Sequence, residues 1–186
     1  SLKLHQEGND LCLQCHLAAT YDAYEHHFHQ EEVEGQPSDG ALCVKCHMPE
    51  QPFMVVDWRA DHSIRVPRPD LSRDIGVPNA CGQSGCHDDQ TVEWSVDAYT
   101  TWYGTARKPH FGTVFAAARN GDPAAEAGLH ALVEDELNPV IVRATAIQEL
   151  QAYPGERTER AVRQALTNEE ALIRLAAVNA VSASSV

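Results

Sequence analysis

The stretch CLQCHLAATYDAYEHHFHQ, residues 12–30, places two cysteines and a histidine within five positions and three more histidines within residues 26–29. So much sulfur and imidazole in a chain of formal charge −13 asks for a bound group, and the other cysteines decide which kind. All six cysteines fall into pairs: Cys12-Leu-Gln-Cys15-His16, Cys43-Val-Lys-Cys46-His47 and Cys81-Gly-Gln-Ser-Gly-Cys86-His87. A histidine follows the second cysteine every time. With 10 histidines in 186 residues, three such followers arise by chance only about once in several thousand sequences.

A disulfide framework explains an even cysteine count but not the trailing histidines. Zinc takes four ligands and commonly joins one close cysteine pair to a second. Covalent haem explains both features. Cysteines at i and i+3 share one side of a helical turn, where the two sulfurs form thioethers with the haem vinyl groups. The adjacent histidine then lies under the iron as an imidazole ligand. In the third motif four residues separate the cysteines, and Gly82 and Gly85 lend that longer loop its backbone freedom. The expected cofactor is haem c, three copies, attached through Cys12, Cys15, Cys43, Cys46, Cys81 and Cys86. His16, His47 and His87 are the expected proximal iron ligands.

Composition points to a mainly α chain. Aromatic residues make up 6%, strand-forming runs are scarce, and something other than aromatic side chains must fill part of the interior. The negative charge argues against nucleic acid and anionic membrane surfaces and for a partner with a basic patch. No apolar run reaches the length of a membrane span, and SLKLHQEGND lacks a secretory pattern. Covalent haem attachment takes place outside the cytoplasm, so an exported protein, periplasmic or extracellular, is expected. Its export signal would have been removed or would lie upstream. The last residues, NAVSASSV, fall within a helical pattern, and the chain is expected to be part of something longer.

Seven histidines remain: His5, His26, His27, His29, His62, His110 and His130. Met48 and Met54 are too few to cap three irons, so histidine must cap at least one, and bis-histidine ligation throughout is the economical reading. It implies potentials below those of His/Met cytochromes. His26 and His29 lie about one helical turn apart and can project from one face toward two neighbouring haems. His27 points elsewhere on such a turn and reads as structural or surface. Asp61 can hold the ring of His62. His5 and His130 read as ordinary surface imidazoles. Arg59, Arg65, Arg68 and Arg73 form a local basic stretch, held extended and out of a helix by Pro67 and Pro69. At least one of these arginines is expected to pair with a haem propionate; the bland reading is a solvated loop.

EHHFH ahead of CVKCHMP, then FMVVDWRADHSIRVPRPDLS, VPNACGQSGCHDD and WSVDAYTTWYG, resemble multihaem c-type cytochromes whose haem segment runs into helical repeats. The resemblance covers most of residues 8–150. It implies distal iron ligands at the first and last histidines of the H-x-x-H tract, at the histidine of the DH pair, and at one opening the helix after WYG. Here these are His26, His29, His62 and His110. Members often carry a further haem motif just upstream of a stretch similar to SLKL. Its absence here implies truncation or a separate subunit that supplies that haem.

From Pro109 the sequence turns Ala-rich with helical periodicity. FGTVFAAARNGDPAAEAGLHALVEDE reads as two helices broken at Asn120–Pro123, with Gly121 as C-cap, Asp122 as N-cap and Pro123 opening the second helix. Residues 138–150 and 168–181 align on Arg143 and Arg174, pairing Val142 with Ile173, Ala146 with Ala177, Ile147 with Val178 and Leu150 with Val181. That period resembles HEAT-type repeats, serving as a docking surface or as a scaffold for the haem module. The expected architecture is a loop-rich trihaem cytochrome c module over residues 1–108, followed by a HEAT-like helical segment over 109–186. Electron transfer is the expected function, with other redox proteins or further haem subunits as partners, in an assembly with copies of itself or with other chains. The alternatives are an oxidoreductase subunit with one open haem acting on a small nitrogen or sulfur species, and a subunit of an extracellular cytochrome filament.

Overall fold

A computed structural model describes residues 6–83 and 85–183, so His5 lies outside the described residues. The chain is mainly helical, with 53% helix and little strand. It divides into two compact units, residues 1–106 and 107–186, a boundary two residues before the expected one. Among the described residues no helix is long and apolar enough to cross a membrane.

The first unit is a string of short elements. Helices α1 (Asp10–Leu13), α2 (Ala18–Tyr21) and α3 (Tyr24–His27) are single turns. Strands β1 (Glu32–Val33) and β2 (Gln36–Pro37) form a small hairpin, and a 3₁₀ turn, Asp39–Ala41, leads into α4 (Cys43–His47). A second antiparallel hairpin pairs β3 (Glu50–Phe53) with β4 (Asp57–Ala60), in the register Glu50 with Ala60 and Phe53 with Asp57. Helix α5 (Pro69–Ile75) takes Pro69 at its first position, where a missing N–H costs nothing, and ends on Gly76 in the left-handed region. Pro69 thus starts a helix, whereas the sequence reading had it keeping this stretch out of one. Helix α6 (Val92–Tyr103) is the long rod of the unit. Thr91 Oγ1 caps it by accepting from the Trp94 N–H at 3.1 Å. It packs on α5, with Leu71, Ser72 and Ser95 buried.

This unit has almost no apolar core. Its buried apolar residues, among those described, are Ala41, Pro49, Pro69 and Leu71. Meanwhile Phe53, Met54, Val55, Val56 and Trp58 of the second hairpin are exposed. A unit of this size ordinarily buries well over half of its chain's surface, and exposed apolar patches of this kind mark an interaction site.

The second unit is the opposite case. Among its helices α7 (Phe111–Arg119), α8 (Ala125–Glu134), α9 (Val140–Glu149), α10 (Glu156–Ala165) and α11 (Ala171–Ala183), α7 packs on α8, α8 on α9, and α9 and α10 both on α11, with a 3₁₀ turn Leu150–Ala152 after α9. Both large apolar clusters lie here, one around Leu129, Ala146 and Leu150, the other around Ile147, Ile173 and Ala177. Gly121, at φ 74°, ends α7 as its sequence suggests. The next helix opens later than expected. Asp122 Oδ1 accepts from the Ala124 N–H at 2.8 Å, and α8 begins at Ala125. Val142 and Ile173 are both buried, as are Ala146 and Ala177. Ile147 and Leu150 are fully enclosed, but their counterparts Val178 and Val181 are 50% and 45% exposed. His130 corrects the surface reading: it is buried at 1% exposure, because its position on α8 faces inward toward Thr158 of α10.

Candidate cofactor-binding site

The three cysteine motifs sit on turns of different geometry. The second is helical, α4 spanning Cys43 to His47. The first straddles the end of α1, with the Cys15 and His16 N–H groups both donating to the Cys12 carbonyl. In the third, the His87 N–H donates to the Cys81 carbonyl at 3.1 Å, and the wider loop closes through Gly85 at φ 75°. Gly82 has no such requirement. All six cysteines are free thiols. Burial raises the pKa of the Cys43 thiol, and neighbouring Cys12 adds to the effect. Burial also pushes Cys46 up to about 11, with Cys81 and Cys86 contributing. The motifs are therefore neighbours in order, first beside second and second beside third.

Asn9, which the sequence reading overlooked, ties the first two motifs together. Its Nδ2 donates to Asp22 Oδ1 at 2.6 Å and to the Ala41 carbonyl at 2.9 Å, while its Oδ1 accepts from the Cys43 N–H at 2.9 Å. Only the position of Asn9, three residues before Cys12, hinted at this.

The H-x-x-H tract does not form one helical face. α3 ends at His27, and Phe28 turns left-handed at φ 57°, so His26 and His29 leave the turn in different directions. Each meets a proximal-type histidine. The rings of His26 and His47 lie 6.2 Å apart between centroids, with planes 8° from parallel. Those of His29 and His87 lie 6.1 Å apart, with planes at 45°. Burial first, then His47, holds the His26 pKa below its ordinary 6.5, which keeps its lone pair available.

Hydrogen bonds fix the tautomers, because a carbonyl can only accept. Nδ1–H of His47 donates to the Arg65 carbonyl at 2.7 Å, that of His29 to the His27 carbonyl at 2.5 Å, and that of His62 to the Ala60 carbonyl at 2.8 Å. Each keeps its lone pair on Nε2, the arrangement of a metal-ligating imidazole. His27 has the opposite arrangement. Its Nδ1 accepts from the His29 N–H at 3.2 Å, and its Nε2 is buried without a hydrogen-bond partner. His110 is similar to His27 in this respect, for its Nδ1 caps α7 by accepting from the Gly112 N–H at 3.0 Å.

Among the described residues the structure brings two histidine pairs together. The described ring contact of His16 is Tyr21, at 5.2 Å. His62 is exposed after β4, and His110 belongs to the second unit. Each arginine of the basic stretch engages an aspartate close in sequence. Arg59 meets Asp57, Arg65 meets Asp61, Arg73 meets Asp74, and Arg68 forks onto Asp70 with Nε and Nη2.

Iron held between two imidazole nitrogens at about 2 Å each, with ring centroids about 1 Å further back, needs centroids about 6 Å apart. Both pairs meet that spacing. Among the described residues no three His, Cys, Asp or Glu side chains converge as a metal site. A porphyrin supplies four of the iron's ligands itself, so two opposed imidazoles are all that the chain must provide. The chain matches no family model, no curated protein and no solved structure.

Proposed function

We propose that this chain is an electron-transfer protein, a multihaem c-type cytochrome with three covalent haems. The observation that carries the reading is the pair of facing histidine couples, His26 with His47 and His29 with His87, each at the spacing of an axially ligated iron. Each couple joins a histidine of the H-x-x-H tract to one that follows a cysteine pair. The sparse core of the first unit supports it too, since a porphyrin is a large apolar plate against which such a unit can pack. Haem, once bound, supplies one-electron redox chemistry. The chain's residues would anchor it through six thioethers, would orient one ring of each couple, His47 and His29, by a hydrogen bond to a backbone carbonyl, and would keep the anchoring thiols of neighbouring sites close together. His62, whose Nδ1 bonds the Ala60 carbonyl and leaves Nε2 free, is the candidate ligand within this unit for the remaining iron beside His16. An arginine of residues 59–73 would reach a propionate only by giving up part of its aspartate contact.

The second unit reads as a HEAT-like scaffold. Partners would be redox proteins or further haem subunits with basic faces, met outside the cytoplasm, in the periplasm or beyond the cell.

One observation favours a second reading. His16 faces Tyr21 rather than a histidine, so the first iron could keep an open position. That would suit an oxidoreductase acting on a small nitrogen or sulfur species. Intact mass of the denatured protein tests the first reading: three covalent haems are expected, and the apoprotein mass would overturn it. Low-spin spectra from every haem favour transfer, whereas one high-spin haem that binds cyanide or nitrite selects the oxidoreductase.

A further inference from the structure

Helix α6 touches both rings of one couple, and among the described ring contacts it meets neither ring of the other. At its N-terminal end Trp94 packs on His87, ring centroids 4.7 Å apart. Near its C-terminal end Trp102 meets His29 edge to face at 5.9 Å and 73°. Eight residues of α-helix separate the two tryptophans by about 12 Å along the axis, and a helix of this length capped at both ends does not flex over that span. We propose that α6 is the positioning element of the His29/His87 couple, and that Trp94 and Trp102 are the positioning residues that set its spacing and its ring angle. The inference rests on the haem reading.

Three further contacts tie the C-terminal end of α6 to the turn that carries His26 and His29. Phe28 stacks flat on Trp102 at 5.0 Å and 2°, which holds the left-handed residue between His26 and His29. Tyr103 meets Phe28 edge to face at 5.6 Å, and its hydroxyl donates to the His26 carbonyl. Burial pushes the Tyr103 hydroxyl up to about 12, so it stays a donor at any physiological pH. Burial raises the pKa of the Cys81 thiol and Ser95, next to Trp94, pulls it down, so the same helix lies beside one anchor of the third motif. The His26/His47 couple differs. Among the described residues no ring contact joins its rings to α6, and the contact of Tyr103 with His26 is to the backbone carbonyl. Its planes are near parallel where those of His29/His87 are tilted by 45°.

The angle between axial imidazole planes sets the splitting of the iron d orbitals, which electron paramagnetic resonance reads as the spread of g values. The test uses the haem-loaded chain and four variants, Trp94→Ala, Trp94→Phe, Trp102→Ala and Trp102→Phe. His29→Ala and His26→Ala identify the two couples' signals by deleting one each. The alanine variants are expected to shift or abolish the His29/His87 signal and leave the His26/His47 signal in place. The phenylalanine variants, which keep an aromatic face and guard against simple misfolding, are expected to move the same signal by less. Intact mass separates the two ideas, since a chain without haem removes the functional reading and this inference with it. Three haems with unchanged g values in all four variants would overturn the inference alone. So would a shift of equal size in both signals, which would mean general loosening.

Discussion

His26 and His47 face one another at 6.2 Å with planes 8° from parallel, although they come from different turns of the chain. His47 is held from behind by the Arg65 carbonyl, and His26 is delivered by a turn that ends one residue later. His29, just past the same turn, is delivered to His87 instead. Histidines three apart therefore face different partners. His26→Ala should turn one low-spin haem high-spin, and His29→Ala a different one, with the double variant opening both. Optical and resonance spectra of the three variants check this. Loss of the same signal in both single variants would sink the assignment.

Gly40 supports His29 from below. A Cβ built on it would stand 2.5 Å from His29 Cδ2, closer than any relaxed contact permits. The backbone at Gly40 is not left-handed, so the constraint is steric and nothing else. Gly40→Ala should push the His29 ring away from His87 and destabilise the first unit by about 1–3 kcal/mol, the ordinary cost of overpacking. The expected outcome is a weakened His29/His87 low-spin signal with the His26/His47 signal intact. A variant of normal stability and spectrum would show that the ring has room to shift.

Asn9 makes three hydrogen bonds that join α1, Asp22 and the start of α4. Partly buried bonds of this kind contribute about 1 kcal/mol each, so Asn9→Ala should cost about 2–3 kcal/mol in chemical denaturation. Asn9→Asp is the sharper probe. It keeps the acceptor for the Cys43 N–H but loses both donations and sets a carboxylate against Asp22. It should destabilise at least as much at neutral pH and recover partly in acid as the carboxylates protonate. Equal stability of Asn9→Asp and the wild type would mean that the Asp22 bond contributes nothing.

What the sequence made legible was local. The first two cysteine motifs need only i, i+3 and i+4 neighbours and the third i, i+5 and i+6, and the break after α7 needs only Asn120, Gly121 and Asp122. The pairing of Val142 with Ile173 also follows from short periodic patterns. The helical face drawn through His26 and His29 failed because Phe28 adopts a left-handed conformation that no aromatic residue prefers alone. Trp102, far along the chain, stacks on Phe28 there. The β3–β4 hairpin was missed for a related reason: Glu-Gln-Pro-Phe has no alternation, and its exposed residues signal no buried face. The inward turn of His130 is set by how α8 rolls against α9 and α10, which helical periodicity leaves undetermined.

His130 makes the second unit's stability depend on pH. Burial holds its pKa below the ordinary 6.5, and nearby Arg157 adds to the effect, while Glu126 and Glu134 pull the other way without winning. Its Nε2 lies 3.7 Å from Glu126 Oε1 and 3.5 Å from Thr158 Oγ1, both long contacts that do little for an imidazolium. In the unfolded chain the ring takes up a proton at about pH 6.5, while in the folded chain it resists until lower pH. Between those two values the unfolded state binds more protons, so stability rises with pH across the window. The contribution is fully present above about pH 6.5 and fades as pH falls toward the folded-state pKa. Thermal unfolding followed from about pH 7.5 down to about 5 should therefore show a falling Tm. His130→Gln, which cannot charge, should flatten that slope while lowering Tm modestly at neutral pH. A variant whose slope matches the wild type would assign the acid sensitivity to other groups.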